Sequence, residues 1–157
     1  MFWGHAANSI TRGPEQRAAL DAVDVLCVID PHPTQVAIMS NKTDNVYLLP
    51  ASSTAEIHGS VTNSSRAVQW RDKVFDPVFE AKSDYEITYL FAKAFGFADE
   101  MFKHIGVANN EPIAEDMLRE INAGTWTIGY TAQSPERLKR HMQHQDKFDS
   151  ITLKGMA

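Results

Sequence analysis

A chain of 157 residues that is 43% hydrophobic and 22% charged, with eight glycines and seven prolines, has the composition of an ordinary globular domain. That excludes intrinsic disorder and collagen-like order. Fifteen Lys and Arg against twenty Asp and Glu leave a formal charge of −5, which repels phosphate backbones and anionic headgroups, so neither nucleic acid nor direct membrane contact is expected.

The residues Met1-Phe2-Trp3 are all that stands for a first strand. The polar loop Gly4 to Ser9 after them has the composition of a strand-to-helix connection. Pro14 to Ala22 predicts a short helix, with Pro at its first position and Glu15 in its first turn. Val23 to Ile29 is a near-continuous apolar run rich in β-branched residues, the pattern of a strand buried on both faces of a parallel sheet, and it stops at Asp30-Pro31. One or two helical turns are expected over Thr34 to Met39, and a short strand over Asn45 to Leu49 closed by Pro50. The outline is β-α-β-α-β, in which right-handed crossovers make the strands parallel and leave ligand space beyond their carboxyl ends, where Gly4, Asp30 and Pro50 fall.

Ala51 to Val61 reads as an ordered loop, because Ile57 and Val61 interrupt its Ser, Thr and Gly. Gly59 to Arg71 mixes hydrogen-bonding groups with apolar anchors, and either lines a polar ligand or ties a long loop down. Ser83 to Phe97 repeats apolar residues at helical spacing and can stop at Gly96. Shorter helices are expected at Ala98 to His104, Ile113 to Asn122 and Pro135 to Gln143, the last opened by Ser134-Pro135-Glu136. The whole is expected to be α/β: a Rossmann-like parallel sheet of three or four short strands flanked by helices, with a helical C-terminal half. The divisions are 1–50 (nucleotide-binding), 51–82 (loop and short strands) and 83–157 (helical), within a single partial domain.

Candidate chemistry is sparse. The single Cys27 excludes an internal disulfide and any cysteine-ligated zinc or iron-sulfur site within the chain, and as a small buried hydrophobe it should have a raised thiol pKa. His141 and His144 share a helix face, but Arg137, Lys139, Arg140 and Lys147 would repel a cation there, so no metal site is expected. His5 and His32 fall in strand-end loops, where a donor can reach a ligand. Asp99-Glu100 and Glu115-Asp116 read as solvated charge. No Gly-x-Ser-x-Gly elbow, phosphate-loop or His-Glu-x-x-His motif occurs, and no catalytic residue is assigned. Asp30 stands apart: a carboxylate closing a buried strand can accept hydrogen bonds from a ribose or from guanine, or it can cap a turn. No apolar run approaches the roughly 20 residues that span a bilayer. Met1 to Gly13 has neither a basic nor an apolar targeting region, so the chain reads as soluble.

Several stretches together resemble the large catalytic subunit of molybdopterin-dependent formate dehydrogenases, above all the membrane-associated respiratory type. They are Trp3 to Gly13, Val28 to Thr34, Val46 to Ala51 and the block Gly59 to Asp84 with Arg66, Gln69-Trp70-Arg71 and Pro77. The first two recur across the wider molybdopterin oxidoreductase family, whereas a more distal run, Asn122 to Leu138, points more narrowly to formate dehydrogenase.

The resemblance implies an incomplete domain of a larger subunit that oxidises formate to carbon dioxide by two electrons. The cofactor it implies is a molybdopterin guanine dinucleotide with molybdenum or tungsten, and an iron-sulfur cluster carried elsewhere in the subunit. The guanosine end is then approached by Gly4, His5, Asn8, Ser9, Asp30, Pro31 and Thr34. Relatives often have an acid or amide and then Pro after the first glycine; here His5-Ala6-Ala7 follows, which leaves His5, Asn8 and Asp30 as the substitutes. Implied partners are the rest of the catalytic subunit, an iron-sulfur electron-transfer subunit and a membrane cytochrome subunit, in a periplasmic complex or a cytoplasmic relative of it. The alternatives are a stand-alone nucleotide-binding or interaction module, and a related molybdopterin enzyme such as a nitrate reductase.

Overall fold

Side chains that demand burial decide where the first sheet forms. In a computed structural model, which describes residues 1–4, 11–33, 35–64, 67–124 and 133–144, the apolar run becomes strand β2 (Leu26–Asp30). β1 (Phe2–Trp3) and β3 (Val46–Pro50) lie parallel to it on either side, in the order β1-β2-β3. β1 contributes two residues, so the full ladder is the five-residue pairing of β2 with β3. The run is shorter as a strand than expected: Val23 and Val25 are exposed and precede it.

The described residues divide into two compact units, one of Met1–Ser53 and Pro77–Asp84, the other of Thr54–Asp76 and the described residues from Tyr85 onward. In the first, helices α1 (Gly13–Ala22) and α2 (Gln35–Met39) connect the strands. Leu20 of α1 and Val36 of α2 pack with Leu26 and Val28 of β2 into an apolar cluster that also takes in Ala37, Met39 and Val46. Alternation puts Leu26 and Val28 on one face of β2 and Cys27 and Ile29 on the other. Ile29 is fully buried, while Cys27 is half-buried and its thiol is pushed up by that burial. Beyond the core, the Asp21 carboxylate accepts the Asn41 backbone N–H at 2.7 Å and the Ser40 hydroxyl at 3.0 Å. The Asn41 bond, together with those from the Ser40 and Asn41 side chains, holds the Asp21 carboxyl below its ordinary value against a smaller opposing effect of burial.

In the second unit the expected loop is replaced in part by a hairpin. β4 (Gly59–Thr62) and β5 (Val68–Arg71) pair antiparallel, with Ser60 opposite Trp70. A Cβ at Gly59, where φ is +148°, would lie 2.8 Å from the Tyr85 hydroxyl. A side chain there would have to displace the Tyr85 ring, which is carried by α3 (Asp84–Phe95). α3 stops as expected at Gly96, and the Phe97 N–H returns to the Ala92 carbonyl at 3.0 Å to close its last turn. α4 (Ala98–Met101) is one turn long, ending before the expected His104. A small hairpin of β6 (Val107–Ala108) and β7 (Glu111–Pro112) follows; Asn109 and Asn110 both have positive φ in its turn.

α5 (Ala114–Gly124) buries Ala114, Leu118 and Asn122, spaced by four residues on one face. α6 (Pro135–Gln143) opens as expected, with the Ser134 hydroxyl accepting the Arg137 N–H at 3.2 Å. Trp70, Ala114, Leu118 and Leu138 form the core of this unit.

The architecture is therefore mixed α/β with small sheets, and among the described residues there are seven short strands in three sheets instead of three or four in one. No described helix is long and apolar enough to cross a membrane. Leu26 is 1% exposed and Ile38 is 77% exposed. Leu26→Ala should lower stability in urea unfolding by about 2–5 kcal/mol through lost burial and the cavity left behind, whereas Ile38→Ala should stay within about 0.5 kcal/mol.

Candidate functional site

The register of the parallel sheet aligns its carboxyl ends. Trp3 lies opposite Ile29 and Asp30 opposite Pro50, so Gly4, Asp30 and Pro50 end level with one another. Backbone bonds fix this edge: the Gly4 N–H donates to the Ile29 carbonyl at 3.0 Å and the Ala51 N–H to the Asp30 carbonyl at 3.2 Å. A returning segment then binds the end of β3, with the Lys82 N–H donating to the Pro50 carbonyl at 3.2 Å and the Ser52 N–H to the Lys82 carbonyl at 2.8 Å. Nearby, the Trp3 indole N–H donates to the Asp84 carboxylate at 2.7 Å.

Of the residues expected to form a nucleotide site, Gly4, Asp30 and Pro31 meet at this edge, while His5, Asn8, Ser9 and Thr34 lie outside the described residues. Gly4 has φ +80°, a conformation side chains rarely adopt, and no described residue stands within 4 Å of where a Cβ would be. The backbone there is open to close approach by a ligand. Asp30 is 7% exposed, and one of its carboxylate oxygens accepts the His32 N–H at 3.1 Å. It therefore caps a turn, the alternative left open by the sequence, and a carboxylate can still accept further hydrogen bonds beside that one. Pro31 and His32 are exposed.

Sequence reading missed Ser52, whose hydroxyl oxygen is buried at the same edge without a hydrogen-bond partner among the described residues. Its signal was Pro50, the strand end that Ser52 follows by two residues. A buried hydroxyl without a partner is costly, and it marks a place where a polar ligand atom or a water would be stabilising.

The second unit holds a different polar cluster. The Lys139 ammonium pairs with Glu115 and lies 4.7 Å from the centre of the Trp70 ring. The His58 ring stacks on the same indole at 6.4 Å, and the indole N–H donates to Asp72 at 3.0 Å. Glu115-Asp116 is therefore not simple solvated charge: Glu115 is paired, and Asp116 accepts the Gly106 N–H at 3.0 Å and binds Arg119. Burial pushes the Glu115 carboxyl up, but hydrogen bonds from Lys139 and the Glu115 backbone N–H, with the charges of Lys139 and His58, outweigh it and hold the group below its ordinary value. Among the described residues no group of three or more His, Cys, Asp or Glu is arranged to hold a metal ion.

Comparison with known proteins bears on the first unit above all. The family model described as molybdopterin oxidoreductase matches residues 2–94, more than half of the chain. A protein of Staphylococcus haemolyticus (strain JCSC1435) described as a putative formate dehydrogenase is 36% identical over 88 residues, which are 56% of this chain. The matched region spans 8% of that relative's length.

Gly4→Ala should destabilise the chain by about 1–2 kcal/mol in urea unfolding from backbone strain at its positive φ. Because the Glu115 carboxyl is held below its unfolded value, its contribution is full above the unfolded value and disappears as pH falls through the folded one. Glu115→Gln should therefore cost at most about 1 kcal/mol at neutral pH, and that difference should vanish in acid unfolding titrations.

Proposed function

The chain belongs to the molybdopterin oxidoreductase family, and we propose that it is a section of a formate dehydrogenase catalytic subunit whose parallel-sheet edge helps hold the guanosine end of a molybdopterin guanine dinucleotide. The family implies a molybdopterin carrying molybdenum or tungsten. When bound, that group supplies the two-electron redox chemistry, here the oxidation of formate to carbon dioxide. The share of this chain is to bind and orient.

The observation that carries the reading is the coincidence of the family match, residues 2–94, with the aligned strand ends at Gly4, Asp30 and Pro50. The residues present fit a nucleotide. Among the described residues, Gly4 leaves room for a ribose or phosphate to approach the backbone. The largely buried Asp30 carboxylate offers an acceptor for a guanine amide and amino group, or for a ribose hydroxyl. Ser52 adds a buried hydroxyl with hydrogen-bonding capacity to spare. Parallel strands with ligand space beyond their carboxyl ends also support reading the first unit as part of a Rossmann-like sheet.

The formate assignment is supported by the name of the Staphylococcus haemolyticus relative and by the resemblance of the distal run. On this reading the metal's ligands and an iron-sulfur cluster belong to other parts of the subunit. Electrons leave through an iron-sulfur partner subunit and a membrane cytochrome, in a periplasmic complex.

In the whole enzyme, Asp30→Ala should lower the molybdenum or tungsten retained after purification by about tenfold, the value of a hydrogen bond to a charged group. Asp30→Asn, which keeps an acceptor, should lose less. Elemental mass spectrometry reads both variants, and metal content unchanged in Asp30→Ala would overturn the site. Dye reduction with formate, compared with nitrate-dependent dye oxidation, tests the reaction separately.

A further inference from the structure

We draw no further inference here: the strongest candidate, the apolar groove between α3, α4 and α5 lined by Met101, Phe102, Met117 and Ile121, carries nothing because nothing in the structure shows what covers it.

Discussion

Strand β2 is hydrogen-bonded along both edges, and its apolar side chains serve both faces; the rest of the first unit is organised by that double demand. A strand in this position cannot slip, because a shift of one residue would exchange Leu26 and Val28, which meet the helices, for Cys27 and Ile29. Once β2 is fixed, β1 and β3 have one register each, and their ends arrive level with Asp30. The same burial that stabilises the sheet carries a carboxylate to its carboxyl edge. The turn closed by His32 then orients that carboxylate.

The second unit solves a different problem. It has little sheet, so its core is assembled round one large side chain, Trp70, which the hairpin presents to α5 and α6. An indole offers aromatic faces and one polar edge, and here both are used: Lys139 lies over the ring, His58 stacks on it, and Asp72 takes the N–H. The Lys139–Glu115 pair then joins α6 to α5 at the rim of the apolar contact. Such half-buried pairs add little net energy, and their value lies in fixing the angle and register of the two helices.

The two units divide the chemistry between them. The first offers open backbone, a carboxylate and a buried hydroxyl at a strand edge, the groups that hold a nucleotide. The second offers helices packed on one indole and tied by ion pairs, a structural arrangement. Neither has the nucleophile, base and orienting group of an acyl- or phosphoryl-transfer site among its described residues.

Much of this was legible in the residues. The β-branched run of β2, the Pro and Glu15 at the start of α1, Gly96 after α3 and Ser134-Pro135 before α6 are local signals, and local physics honours them, because propensity and capping act over a few residues. Short strands were expected between residues 51 and 82, but their bounds and their pairing as the hairpin β4-β5 were hidden, since four-residue strands show little periodicity and Gly59 reads as loop until Tyr85 is seen against it. Glu115 looked like surface charge because the sequence does not reveal that Lys139, 24 residues on, lies within reach. Sequence by itself determined that the central strand and the helices exist, and Asp30 as the residue to watch. Only the tertiary structure decided that Gly4, Asp30 and Pro50 end level with one another, and that Lys139 reaches Glu115, because both depend on strand register and helix packing between residues far apart in the chain.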